Sequence, residues 1–144
     1  MGNPCYKAPE LLMGSTNYST AIDIWSMECI FAEMLRLELL FIGNDEPPQI
    51  LAAIFWQFHQ NTITIFMISL YLYEINEFNI FICKACLVRQ LKKPGLDLAA
   101  EFPELEPDGL DLLSKMLRLC PNSRISADQA LEHPYLRILT THDD

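Results

Sequence analysis

Cys83 and Cys86 stand three residues apart, with Lys84 and Ala85 between them. That spacing lets two thiolates share a metal ion or close a redox disulfide. A structural zinc site takes four ligands, and no second cysteine pair or histidine pair lies at suitable spacing. The pair is therefore read as coincidence, and no metal ligand is assigned. His59 could serve as a base, but no acidic or cysteine partner lies at catalytic spacing. It is read as a bystander, and no catalytic residue is assigned anywhere in the chain. The five cysteines (5, 29, 83, 86 and 120) are scattered and odd in number. No charged start followed by an apolar run precedes them, so free thiols in a reducing, intracellular compartment are expected.

The elements that would carry these residues read as mainly α, with no pattern of alternating strands. Thr20 followed by Asp23 has the form of a capping box, and Ile22, Trp25, Cys29, Ala32 and Leu35 then recur at helical spacing. One buried helix over about residues 21–37 is expected. Asp108 with Asp111, directly after Pro107, reads as a second helix start. Leu110, Leu113 and Leu117 give that helix an apolar stripe reaching Leu119, before Cys120-Pro121 ends it. Ser126 with Gln129 is a further capping box. It opens a short helix whose Ala130 and Leu131 are expected to face inward, and which stops at His133-Pro134.

At 144 residues the chain has the length of one modest domain. Ten basic residues against nineteen acidic leave a formal net charge of -9. That balance disfavours nucleic acid and anionic membrane as nonspecific partners.

Six ordered blocks carry the strongest signal. They are Tyr6-Lys7-Ala8-Pro9-Glu10-Leu11-Leu12, the run Tyr18 to Ser26, Cys29 to Leu35, Leu40 to Asn44, Gly109 to Leu117, and Arg124 to Tyr135. Together they resemble the large lobe of eukaryotic serine/threonine protein kinases, and within them the cyclin-dependent kinases of plant type. The resemblance implies a partial protein-kinase-like fold: the large, helical C-terminal lobe, with the small lobe and the catalytic loop absent. It divides the chain into three parts. Residues 1–55 would be the activation-segment end and central helix, 56–93 an atypical apolar insert, and 94–139 the final helices.

The same resemblance implies roles. Lys7, Ala8 and Pro9 would be the remnant of the shelf that receives the residue after the phosphorylated serine or threonine. Glu10 and Arg124 would form a buried ion pair, since a planar guanidinium can grip a carboxylate through two parallel hydrogen bonds. Asp23 and Trp25 would belong to the central helix, with Asp23 normally accepting hydrogen bonds from the catalytic loop. Without that loop, a buried Asp23 would cost on the order of 1–3 kcal/mol. Phosphoryl transfer by the family needs ATP, magnesium, a glycine-rich loop, a strand lysine and two aspartates, all upstream of Ala-Pro-Glu. Only seven residues precede Ala8, so no cofactor is expected for this chain alone and it is expected to be inactive.

Departures from the family pattern include Cys5 for tryptophan, Lys7 for arginine and Cys120 for aspartate. Lysine cannot reproduce a forked arginine contact. Glu28 stands where the family has glycine, and a charged side chain at a close helix contact is expected to destabilise.

The middle, residues 56–93, does not resemble the family. No charged residue occurs from Gln49 to Tyr73, and the run Thr62 to Tyr73 is apolar and β-prone. A membrane span needs about 20 predominantly apolar residues, and Gln57, His59, Gln60 and Asn61 interrupt this one. An insertion evolved to bind something is a second reading. The favoured reading is translated intron or mispredicted coding sequence, with no selected structure and exposed strands that promote aggregation.

Three functions compete. The first is a truncated cyclin-dependent-type kinase, whose family activity is ATP-dependent phosphorylation of protein serine or threonine in cell-cycle control, in nucleus or cytoplasm. The second is a non-catalytic interaction module, a decoy for substrates or small regulatory subunits. The third is a membrane-tethered fragment, which is not favoured. Cyclin binding is not expected without the small lobe.

Overall fold

The computed structural model describes residues 2–43, 47–57 and 97–140. Among them are seven α-helices and two 3-10 turns, and no strand. A 3-10 turn at Pro4–Tyr6 leads into α1 (Pro9–Leu12), then α2 (Ala21–Arg36) and α3 (Pro47–Gln57). After the undescribed stretch come α4 (Leu98–Glu101), α5 (Pro107–Met116), a second 3-10 turn (Pro121–Ser123), α6 (Ala127–Leu131) and α7 (Pro134–Thr140). Helix α3 runs past residue 55, where the first segment was expected to end. Cys83, Cys86, His59 and the apolar run 62–73 lie outside the described residues.

Helix α2 is the axis of the packing. Its inner arc, Ile24, Trp25, Cys29 and Ala32, is buried, as residues spaced three and four apart share one helix face. Trp25 stacks on Phe41 at 5.5 Å between ring centroids and 11° between planes, an offset pairing that contributes beyond its buried area. Around that stack a larger cluster gathers Cys5, Ala8, Ile50, Ile54, Phe102, Leu113 and Leu117. A smaller cluster joins Ile24 to Leu112, Met116 and Ala130. Leu112 and Leu113 face different clusters, so α5, like α2, contributes to both.

Helix ends depart from expectation where a competing donor or acceptor is better placed. Thr20 takes helical backbone angles and makes no side-chain cap. Ser19 Oγ accepts from the Ala21 N–H at 3.3 Å instead, because a capping side chain must sit on a residue still outside the helix. The start of α5 is Glu106 followed by Pro107 at the first helical position, where the missing proline N–H costs nothing. Asp108 and Asp111 therefore lie inside the helix, and the helix stops at Met116. The Ser126 capping box is formed in both directions, Gln129 N–H to Ser126 Oγ at 3.2 Å and Ser126 N–H to Gln129 Oε1 at 3.1 Å. Ala130 faces inward, but Leu131 is 63% exposed: adjacent positions lie about 100° apart on a helix, and the five-residue α6 buries one side only.

Leu37 closes α2 in the left-handed region at φ 58°, a conformation that costs a leucine about 1–2 kcal/mol relative to glycine. Gly109 is the glycine whose lack of a side chain α5 needs: a Cβ there would lie 2.7 Å from Leu105 and 3.0 Å from Tyr135.

Candidate functional site

The chain enters α1 through a fixed backbone. Asn3 Oδ1 accepts the Cys5 N–H at 2.9 Å, the Lys7 N–H bonds to the Pro4 carbonyl at 3.1 Å, and Ala8 is the extended residue before α1, with Pro9 at its first position. Ala8 is 0% exposed and Pro9 is fully buried. Neither side chain offers contact surface; of the three expected shelf residues, only Lys7 reaches solvent, half-buried.

Glu10, in the first turn of α1, is held by Arg124, which follows the second 3-10 turn. Arg124 Nη1 and Nη2 donate to Glu10 Oε1 and Oε2 at 2.8 and 3.1 Å, a forked contact between buried groups. The remaining donors go to carbonyls of Arg118 (3.0 Å), Ala21 (2.7 Å) and Leu119 (3.4 Å). All five N–H groups of the guanidinium are thereby used, and its carbon lies 5.1 Å from the Trp25 ring centroid, within cation–π range. One side chain thus fastens α1, the start of α2 and the turn after α5.

A second tie stands beside it. The Tyr6 hydroxyl donates to a carboxylate oxygen of Glu33, and that bond, then burial, raises the tyrosine's pKa. Ser26 Oγ donates to the Tyr6 carbonyl at 2.8 Å, so the turn before Lys7 is fastened along α2. Sequence reasoning missed both contacts, since residues 27 and 20 apart leave no local spacing signal.

Asp23 is exposed. The cost expected of a buried, unpaired carboxylate does not arise, because nothing among the described residues covers that face of α2. Met27, Ile30, Met34 and Leu37, at 59, 49, 69 and 87% exposure, continue the same face. A helix apolar on nearly all sides belongs inside a larger core.

At the far end, His133 Nε2 lies 2.8 Å from Asp111 Oδ2, and its Nδ1 accepts the Tyr135 N–H at 3.3 Å. Nε2 therefore carries the proton. Lys115 and then His133 hold the Asp111 carboxyl below its ordinary range. Cys5 and Cys29 are buried thiols and Cys120 an exposed one.

Among the described residues, no group of three or more histidine, cysteine, aspartate or glutamate side chains could hold a metal ion. No described helix is long and apolar enough to cross a membrane.

The family model for the protein kinase domain matches residues 1–136. The chain belongs to the protein kinase family. Its likeness is to the cyclin-dependent type: it is 42% identical over 130 residues to cyclin-dependent kinase B1-1 of Arabidopsis thaliana, covering 90% of this chain and 38% of that protein. In structure it resembles the MAP kinase LmaMPK10 of Leishmania major, with TM-score 0.69 and 30% identity over 94% of this chain and 37% of that one. A second structure of that MAP kinase, solved as a complex, gives TM-score 0.70 and 31% identity, covering 94% and 41%. This kinase segment thus spans well under half the length of the relatives it matches, and the mainly helical architecture is that of part of the kinase fold.

Proposed function

We propose that these residues form the peptide-side half of the large lobe of a cyclin-dependent-type serine/threonine kinase, and that alone they transfer no phosphate. The Arg124 anchor carries the reading: its forked contact with Glu10 holds the Lys7 to Glu10 segment, which in the family lies where substrate peptide docks, and its three bonds to backbone carbonyls brace that grip. Ala8 and Pro9 would shape the backbone there, and Lys7 would supply the contact. The expected divisions at 1–55, 56–93 and 94–139 are kept as part of this proposal.

The parts that hold magnesium and ATP in the family, a glycine-rich loop, a strand lysine and two aspartates, are not among the blocks this chain matches. In a longer protein those parts would come from outside this chain, and the exposed Asp23 would accept hydrogen bonds from the backbone of the catalytic loop. Such a protein would phosphorylate protein serine or threonine in cell-cycle control, with protein substrates and small regulatory subunits as partners, in nucleus or cytoplasm.

The test is calorimetric titration of the purified chain with magnesium–ATP, together with a phosphotransfer assay on a serine-proline peptide. No binding heat and no transfer are expected; saturable ATP binding would overturn the inactive reading. A second reading, a non-catalytic interaction module, draws on the exposed apolar face of α2. It predicts cooperative melting and capture of a small kinase regulatory subunit by this chain, and loses its ground if Met34→Lys leaves that capture unchanged.

A further inference from the structure

Glu28 interrupts the inner arc of α2 at the seam between the two apolar clusters. Ile24, one turn before it, packs in the smaller cluster with Leu112, Met116 and Ala130. Ala32, one turn after it, packs in the larger one with Trp25 and Phe41. Glu28 itself is 0% exposed, and neither carboxyl oxygen has a hydrogen-bond partner among the described residues. A carboxylate cannot stay ionised in such a place without a cation.

No described group from the elements packed on α2 hydrogen-bonds either oxygen. Helices α6 and α7, whose Ala130 and Tyr135 pack near Ile24 and Phe31, bring Asp128 and Arg137, both exposed, and the half-buried Tyr135. The turn Pro4–Tyr6 brings Cys5 and Tyr6, and Tyr6 is committed to Glu33. Helix α5 brings Asp108, which is exposed, and the Asp111–Lys115 pair, which also engages His133. The second turn brings Arg124, whose donors are all used. On α2 itself Arg36 is paired with Glu38 and Glu101, and the adjoining Cys29 thiol is pushed upward by burial and then by Glu28.

We propose that Glu28 is a proton-operated latch: while its carboxyl is neutral the two clusters stay joined through α2, and when it ionises water enters the seam and α5 and α6 loosen.

Burial raises the Glu28 pKa from 4.5 to about 8. Unfolded, the group ionises near its ordinary value; folded, it keeps its proton until far higher pH. Between those two values unfolding releases a proton, so stability falls as pH rises, and the unfolding constant grows about tenfold per pH unit. Below that window both states hold the proton and above it both have lost it, so the slope vanishes.

The experiment is urea unfolding of the whole chain at pH 5.5 and 7.5, for wild type and Glu28→Gln, with a carbon-13 titration of the Glu28 carboxyl by NMR. The unfolding constant is expected to rise about a hundredfold in wild type and only a few-fold in the variant, with the carboxyl titrating well above the ordinary carboxylate range. Equal slopes in the two proteins, or a carboxyl titrating at its ordinary value, would overturn the latch. If Glu28→Gln does not fold, the wild-type resonance decides the matter alone.

Discussion

Glu10 and Glu28 are two glutamates equally removed from water, at 6% and 0% exposure, in opposite circumstances. Around Glu10 the fold supplies a guanidinium at hydrogen-bond distance, while no described group hydrogen-bonds either carboxyl oxygen of Glu28. The first carboxyl is gripped by the one side chain that fastens three elements. The second must remain neutral and holds its surroundings together only on that condition. Burial alone therefore does not decide what an acidic residue does for a fold; the donors that burial brings with it decide.

Removing the donor from the first region should erase the distinction with the largest effect. Arg124→Met leaves Glu10 buried and uncompensated, and should lower unfolding stability by about 3–5 kcal/mol, read from urea midpoints at pH 7. Adding Glu10→Gln to that variant should recover part of the loss, a non-additivity that a double-mutant cycle measures directly. In the second region the sign reverses. Glu28→Gln should stabilise the chain at pH 8 by about 1–3 kcal/mol, the gain from removing the proton release less the cost of a buried amide. A destabilised variant at that pH would mean Glu28 has a partner.

Smaller effects come from groups that are already satisfied near the surface. Ser126→Ala should remove the α6 capping box at a cost of about 1 kcal/mol, visible as a lowered melting temperature. Asp111 supplies the acid limit. Its folded pKa is lowered, so its contribution is fully present above the ordinary carboxylate range and is lost as pH falls through the lower folded value. Lys115→Ala should move that acid transition slightly upward in pH, as circular dichroism would record.

Much of this was legible where the signal is local. The Ser126–Gln129 box requires only residues three apart, and the apolar spacing of α2 marks its inner arc. The first cap of α2 was misplaced by one residue because Ser19 and Thr20 are chemically alike, and only the backbone angles distinguish them. Leu131 was assigned inward because hydrophobicity alone does not tell which side of a five-residue helix meets the core. Nothing in the spacing of residues 10 and 124 places one against the other; a likeness to the kinase family does. Tyr6 with Glu33 and Asp111 with His133 carried no signal at all, since each pair exists only once separate helices are docked. Glu28 stood out as a departure from a pattern, but its isolation depends on what every neighbouring donor is already doing.

The anchor that joins Glu10 to Arg124 spans 114 positions of sequence. During synthesis at about 5–20 residues per second, Glu10 must wait roughly 6–23 seconds before the guanidinium exists at all. For that interval the segment around Glu10 is a loose end searching for its clasp, and every nascent copy is open to chaperones and proteases until Arg124 has been made.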